Sequence, residues 1–359
     1  MDRRHFIGAS AAAAGLSAIP GLNRAQAQQV LKLTITCGHP PVFSWVKVLD
    51  ETFLGVLDRE IAAAGSPVKI EWTKAYGGTV AKLGAESDAL RTSVSDAGIV
   101  SQIFEAAKFP LQQVTLQVPF GAPDIATVSR IVGNLHERFP EMNDAWSKGN
   151  MLLLATVAID GYQLVTNFPV NTAADLAGKK IFVPGPIANW LQGTGAVAVS
   201  GNLNTYYNGI QTGVAQGAIV SLSPTWSAKL HEVAPHITLC NLGAQYTGSV
   251  AFNLRTYQKL PPAVQQAVRK AGDAYGQEFA RVQSALAEEA LKNLRASGAT
   301  VTQLPDAERA KWAAMLPNLP DAWAGQLEKQ GYKSVRAIVA AYIEALRGGG
   351  VTLVRDWKA

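Results

Sequence analysis

Apolar positions recur along this chain with two periods, and the alternation between the periods sets out an architecture. Val30-Leu31-Lys32-Leu33-Thr34-Ile35-Thr36 alternates partly and is rich in β-formers, so it predicts a first strand. It runs into Gly38-His39-Pro40-Pro41, a loop at the strand's carboxyl end. Phe43, Val46, Val48, Leu49, Phe53, Leu57 and Ile61 then fall at helical spacing over residues 43–64, with Gly65 as the stop. Residues 68–72 read as a second strand, 83–94 as a helix and 98–100 as a short buried strand. A second set of units begins near residues 151–154, with strands over 163–166, 180–183 and 218–220 and helices over 186–194 and 204–215. Residues 261–297 predict one long helical tract, softened at Gly272 and Gly276, and 306–346 are helical again. Strands alternating with helices imply mainly parallel sheets covered on both faces. There is no fixed-period repeat.

The first residues do not belong to that pattern. Arg3-Arg4 followed by Phe6 precedes an apolar, small-residue stretch from Ala9 to Ile19, and Ala25-Gln26-Ala27 supplies an A-x-A cleavage pattern. Residues 1–27 therefore read as an export signal that resembles the twin-arginine type, cleaved after Ala27, and the mature chain is expected in the periplasm. The apolar stretch is short of the roughly 20 residues a membrane span needs, and no later segment reaches that length. The remaining chain exceeds the size at which one core stops growing, so two lobes are expected. Of the formal charge of +5, the signal carries +2, and the +3 that remains is too small and too dispersed to point to nucleic acid. Cys37 and Cys240 both lie in strand-like runs and are expected as separate buried thiols.

A search for catalytic chemistry finds little. No H-E-x-x-H, G-x-S-x-G or P-loop motif occurs, and His231 and His236 lie on different faces if helical. Gly193-Thr194-Gly195-Ala196-Val197-Ala198 satisfies G-x-G-x-x-A, yet it follows a helical reading rather than a strand, as a dinucleotide turn would require. No enzyme activity, cofactor or metal site is expected. The loops after strand ends are richer in pocket-forming side chains: His39, Ser101, Tyr162, Gln163, Phe182, Asn189, Tyr207, Ser223 and Trp226. In open α/β sheets ligands bind outside the carboxyl ends of strands, so two facing lobes would bring these loops into one cleft.

Several stretches together resemble the solute-binding receptors of tripartite ATP-independent periplasmic (TRAP) transporters of the DctP type. Asp175-Leu176-Ala177-Gly178-Lys179-Lys180-Ile181-Phe182-Val183-Pro184-Gly185 is similar to that family's D-L-K-G-K-K-I-R-V-P-G signature. Tyr207-Asn208-Gly209-Ile210-Gln211-Thr212-Gly213-Val214-Ala215-Gln216-Gly217 is similar to Y-x-A-L-Q-x-G-V-V-D-G. Tyr76-Gly77-Gly78, Val118-Pro119-Phe120, Phe252-Asn253 and Leu260-Pro261-Pro262 fit in order and spacing. The resemblance implies an α/β, two-lobed periplasmic-binding-protein-like fold (type II-like), with mainly parallel sheets flanked by helices. It implies a ligand cleft between the lobes and a long lobe-spanning helix. The expected division places residues 28–158 plus about 247–285 in lobe I, and about 159–246 plus about 286–359 in lobe II with the C-terminal helices. The implied partners are a small-molecule solute and TRAP membrane permease subunits, and the implied state is monomer or homodimer.

The departures from the family pattern bear on the solute. The arginine of I-R-V-P, which the resemblance implies as a carboxylate clamp, is Phe182 here. A second family arginine falls at Tyr162, and a pocket asparagine at Val220. An unpaired carboxylate in an apolar pocket costs several kcal/mol. The expected solute is therefore hydrophobic or aromatic, stacked among Tyr162, Phe182 and Trp226, with its polar end held by backbone N–H groups at a helix N-terminus or by Gln163, Gln245 or Ser223. Two other readings use the same scaffold: an exported enzyme, and a ligand-sensing subunit of a membrane sensor.

Overall fold

The computed structural model describes residues 29–359, so the expected export signal and cleavage after Ala27 lie outside the described residues. Among the described residues, no helix is long and apolar enough to cross a membrane. Two sheets form the core of two lobes. The first contains β1 (Gln29–Thr36), β2 (Val68–Ala75), β3 (Ala97–Val100), β4 (Met151–Ile159) and β10 (Gln245–Asn253), in the order β2-β1-β3-β10-β4. The second contains β5 (Tyr162–Thr166), β6 (Lys180–Val183), β7 (Val197–Ser200), β8 (Gly217–Ser221), β9 (His236–Leu239) and β11 (Thr300–Gln303), in the order β11-β9-β5-β8-β6-β7.

The sheets are mixed rather than mainly parallel. Each carries one reversed strand: β10 is antiparallel to β3 and β4, and β5 to β8 and β9. The cause is the chain's path. It leaves the first sheet from β4 through Asp160-Gly161 into β5, and returns from β9 through residues 240–244 into β10. The two crossings run side by side, tied by Tyr162 N–H to Gly243 O (3.2 Å) and Leu242 N–H to Tyr162 O (3.0 Å). All nine residues of β10 are buried, so it lacks the in-out alternation that marks a strand in sequence.

The helix Pro262–Ala296 is the third connection, packing on β4 in the first lobe and on the helix Leu222–Ser227 and β11 in the second. It runs unbroken through Gly272 and Gly276. A Cβ at Gly272 would sit 2.8 Å from Leu154 Cβ and 3.0 Å from Leu154 O, so the missing side chain lets the helix lie directly on β4. Its residue Gln283, wholly buried, donates from Nε2 to Asp160 Oδ1 (2.7 Å) and touches Ser223 and Ser44, joining both lobes and one crossing.

Other elements depart locally from the sequence reading. The helix expected over 43–64 is interrupted by a π-helical turn at Leu49–Phe53, and that expected over 186–194 is a 3₁₀ turn at Gly185–Leu191. Residues 306–346 form three helices, Asp306–Met315, Leu319–Lys329 and Val335–Gly348. They do not all join the second lobe. The first packs on the turn Ala173–Leu176, whereas the last packs on the helix Ile125–Arg138 and the segment Leu111–Gln117 of the first lobe. Three indole N–H groups secure this arrangement: Trp190 donates to Leu116 O (2.8 Å), Trp312 to Trp190 O (2.8 Å) and Trp357 to Pro119 O (3.2 Å). Cys37 and Cys240 are buried and unbonded, as two strand-end thiols in separate lobes should be. Burial pushes both thiols up, Cys240 to about 12.

Candidate functional site

Between the lobes lies a cavity of about 70 Å³. That is room for roughly five waters, the scale of a single ring or a short branched chain. Nineteen residues line it, and both sheets contribute through strand ends and the loops that follow. From the first lobe come His39 and Trp45 after β1, Ser101, Ile103 and Phe104 after β3, and Val157, Ile159, Thr247 and Gly248 on β4 and β10. From the second come Tyr162 at the start of β5, Pro184 after β6, Leu203 and Tyr206 on the helix Leu203–Gln211, and Val220 and Ser221 at the end of β8. No Lys, Arg, Asp or Glu is in the wall.

The lobes touch around this space. Asn204 Nδ2 donates to Gly38 O across the gap (3.4 Å), and Gly185 abuts Ile103 so closely that a Cβ on it would lie 2.5 Å from the Ile103 carbonyl oxygen. Gly185 has a positive φ of 44°, so the Pro184-Gly185 end of the signature combines a left-handed backbone with a contact that admits no side chain. The lobes are therefore closed over the cavity.

His39 is the wall's principal polar group. It packs edge-on to Phe43 (5.4 Å between ring centroids) and Trp45 (5.2 Å), and it is 6% exposed. Neither ring nitrogen has a partner, and burial holds its pKa down at about 4, so the ring is neutral at neutral pH. The Ser221 hydroxyl, opposite in the second lobe, is also buried without a partner. Ser101 is committed elsewhere: its hydroxyl donates to Glu86 Oε1 (3.2 Å). Glu86 is wholly buried behind the wall, where its carboxyl also accepts from Gly38 N–H (3.2 Å) and Gly84 N–H (2.7 Å). Burial, with Glu105 nearby, pushes its pKa up to about 7.

Of the residues singled out from sequence, His39, Ser101 and Tyr162 meet in this cavity. Seven others are placed outside its wall. Phe182 lies one layer behind, stacked on Tyr206 (5.2 Å, 22°) and gripped by Gly201 and Gly209, where a Cβ would come within 2.7 and 2.5 Å of its ring. Trp226 stacks on His231 (4.7 Å) and faces an outer groove with Val42 and Arg281. Gln163 pins the two crossings, accepting from Asn241 N–H (2.8 Å) and donating to Asn241 Oδ1 (3.0 Å). Ser223 is bound to Asp160 (3.1 Å), and Gln245 donates to Gly243 O (3.3 Å). Asn189 accepts from Gln192 and borders a different groove, and Tyr207 donates to Glu232 on the outer side (2.9 Å). Gln163, Ser223, Gln245, Asn189 and Tyr207 are thus each hydrogen-bonded to a nearer backbone or side-chain partner, and Phe182 and Trp226 are stacked on neighbouring rings.

Trp45, Phe104, Leu203 and Ser221 also line the wall and are not marked as site residues by the sequence reading, whereas Tyr206, which that reading weighs equally as core or pocket, lines it too. Trp45 is absorbed into the apolar face of its helix, indistinguishable there from core. Leu203 and Tyr206 stand three apart on the first turn of their helix, a spacing that does signal a shared face. Two of the three positions where the family pattern departs, Tyr162 and Val220, line the cavity, and Phe182 supports Tyr206 from behind.

This two-lobed α/β architecture with a closed interlobe cavity is that of a solute-binding protein. The model of the family DctP, bacterial extracellular solute-binding protein, family 7, matches residues 68–326, and the chain belongs to that family. A solute-binding protein of Sulfitobacter sp. is 30% identical over 188 residues, covering 49% of this chain and 56% of the relative. The C4-dicarboxylate-binding periplasmic protein DctP of Rhodobacter capsulatus is 28% identical over 193 residues, covering 52% and 56%. The matches thus span just over half the length of these two relatives. A TRAP solute-binding protein of Rhodoferax ferrireducens, solved with copurified benzoate, superimposes with a TM-score of 0.78 at 19% identity, covering 89% of this chain and 98% of that one. Among the described residues no group of side chains is arranged to hold a metal ion.

Proposed function

We propose that this chain captures a small hydrophobic or aromatic organic acid between its lobes, outside the cytoplasm, and delivers it to TRAP membrane permease subunits without altering it. The observation that carries this reading is the cavity wall: aromatic and aliphatic, sized for one ring, and free of charged side chains. A C4-dicarboxylate would leave two anions without a cation in such a wall, at a cost of several kcal/mol each. A monocyclic acid gains from ring contacts with Trp45, Phe104, Tyr162 and Tyr206. The benzoate held by the Rhodoferax protein supports a solute of this class for a member with the same fold.

Capture follows from differential affinity. Solute touches His39 and Phe104 on one lobe and Tyr206 and Ser221 on the other only when the lobes are closed, so its binding draws the population toward closure. The three connections provide the hinge. A permease that reads the closed arrangement would then take solute only from loaded receptor. The test is to purify the exported protein, identify retained small molecules by mass spectrometry, and titrate a panel of aromatic and aliphatic acids by calorimetry. Micromolar or tighter binding of aromatic monoacids is expected; tight binding of a short dicarboxylate alone would overturn the reading, and conversion of the ligand during incubation would favour an enzyme.

A further inference from the structure

The hydrogen-bonding groups that the cavity offers are few and uncharged, and this constrains the state in which an acid can occupy it. His39 lines the cavity from the first lobe with both ring nitrogens buried and unpartnered, and Ser221 lines it from the second with a buried, unpartnered hydroxyl. Ser101 is held by Glu86, and the Asn202 side-chain oxygen caps the helix Leu203–Gln211 through Asn204 N–H (3.0 Å); the Asn202 amide nitrogen and the Tyr162 and Thr247 hydroxyls are further, uncharged donors of the wall. No lysine or arginine reaches the wall. A carboxylate entering alone would be a buried, uncompensated charge.

Resting on the reading that the solute is a hydrophobic acid, we infer that each acid is bound together with one proton, shared between its carboxyl group and the His39 imidazole. The proton comes from solvent on binding. It sits either on the carboxyl oxygen, with a His39 nitrogen accepting, or on the imidazole, with the carboxylate accepting. Both arrangements leave the filled cavity neutral, and Ser221 can donate to the second carboxyl oxygen. A proton thus does the electrostatic work of a cationic side chain, and only while an acid is present.

The surroundings of His39 fit this assignment. On its own loop stands Cys37, a thiol kept protonated by burial. Beneath the loop is Glu86, and beyond it Glu105, which is paired with Lys108 (2.9 Å). Tyr76, on the adjoining loop, donates to Asp50 (2.9 Å), and Tyr162 and Tyr206 across the cleft are kept neutral by burial. Glu86 is the group in this set that titrates near neutrality, so the test must cancel its contribution.

Benzoate and benzamide share a ring and differ in charge, so comparing them isolates the carboxyl proton. Calorimetric titration of each, between about pH 6 and pH 8 in phosphate and in Tris, reads proton uptake from the dependence of heat on buffer. Benzoate should take up about one proton, and its Kd should rise about tenfold per pH unit relative to that of benzamide. Benzoate binding with no proton uptake and a constant ratio to benzamide overturns the inference while leaving the capture of aromatic acids intact. Failure of benzoate and of every other aromatic acid to bind at any pH removes the underlying reading instead. His39→Leu, with its unfolding midpoint as the folding control, should weaken benzoate about tenfold or more; one-proton uptake retained in this variant removes the proton from His39 and overturns the assignment.

Discussion

Gly185→Ala should weaken solute binding by about 30-fold while leaving the folded lobes nearly as stable as before, because the structure makes the new methyl group a wedge. In the closed protein a Cβ at this position would lie 2.5 Å from the Ile103 carbonyl oxygen of the opposite lobe. An ordinary contact of this kind is nearer 3.4 Å, so the closed lobes must separate locally by most of an ångström. Overpacking of this kind costs on the order of 2 kcal/mol, and that cost falls on the closed state alone. A penalty of about 2 kcal/mol on closure reduces apparent affinity by about 30-fold, because solute must first recover the competent population. The positive φ of 44° adds about 1 kcal/mol of left-handed strain, which open and closed forms share and which stability measurements detect. Calorimetry with an aromatic acid reports the first effect, thermal unfolding without ligand the second, at about 2 °C. Small-angle scattering at a ligand concentration near the wild-type Kd should show the variant more extended than wild type. Unchanged affinity would refute the argument, since the contact would then not be one on which closure depends.

Phe182→Arg should not restore a carboxylate clamp. The side chain is enclosed by Tyr206, Gly201 and Gly209, so burying a guanidinium there should cost about 4 kcal/mol or more and lower the melting midpoint by about 8 °C; a variant of wild-type stability that gains affinity for dicarboxylates would show the side chain reaching the cavity. Glu86 makes stability fall with rising pH. Its folded pKa of about 7 exceeds the usual value of 4.5, so the folded state binds more protons between those values and loses on the order of 3 kcal/mol across them. His39 works in the opposite sense between about 4 and 6.5, so the informative quantity is the difference between wild type and Glu86→Gln, read by chemical denaturation at pH 5 and pH 8. Parallel pH profiles in the two proteins would contradict the raised pKa. Cys37 and Cys240 should resist a thiol reagent in the native protein and both react on unfolding, because burial raises each pKa; rapid native labelling of either would contradict their placement.

Much of this protein is legible in its sequence. Half-buried strands such as β1 and β2 announce themselves by alternation, and the helix Pro262–Ala296 by a long 3.6-residue period. The signature around Gly178–Gly185 and its neighbours led to the family, which the match over residues 68–326 shows. β10 escaped notice because burial on both faces erases alternation, and the reversed directions of β5 and β10 depend on where the chain crosses between lobes. The three C-terminal helices carry apolar faces that fit either lobe equally well on paper; the acceptors for the Trp312 and Trp357 indoles and the surfaces under Val335–Gly348 decide their places.

The candidate site divides along the same line. The sequence by itself determined the absence of arginine at positions 162 and 182, and hence that the family's implied clamp is missing. It also determined that His39, Ser101 and Tyr162 follow or begin strands and so stand near a cleft. Only the tertiary structure decided that Phe182 and Trp226 turn away from that cleft, and that Trp45, Tyr206 and Ser221 turn toward it. The physical reason is that a strand or helix period assigns a side chain to a face, whereas whether that face meets solvent, core or a cavity depends on what packs opposite. For Phe182 that neighbour is Tyr206, on a helix more than twenty residues further along the chain, whose ring stacks on it and stands between it and the cavity wall's other members.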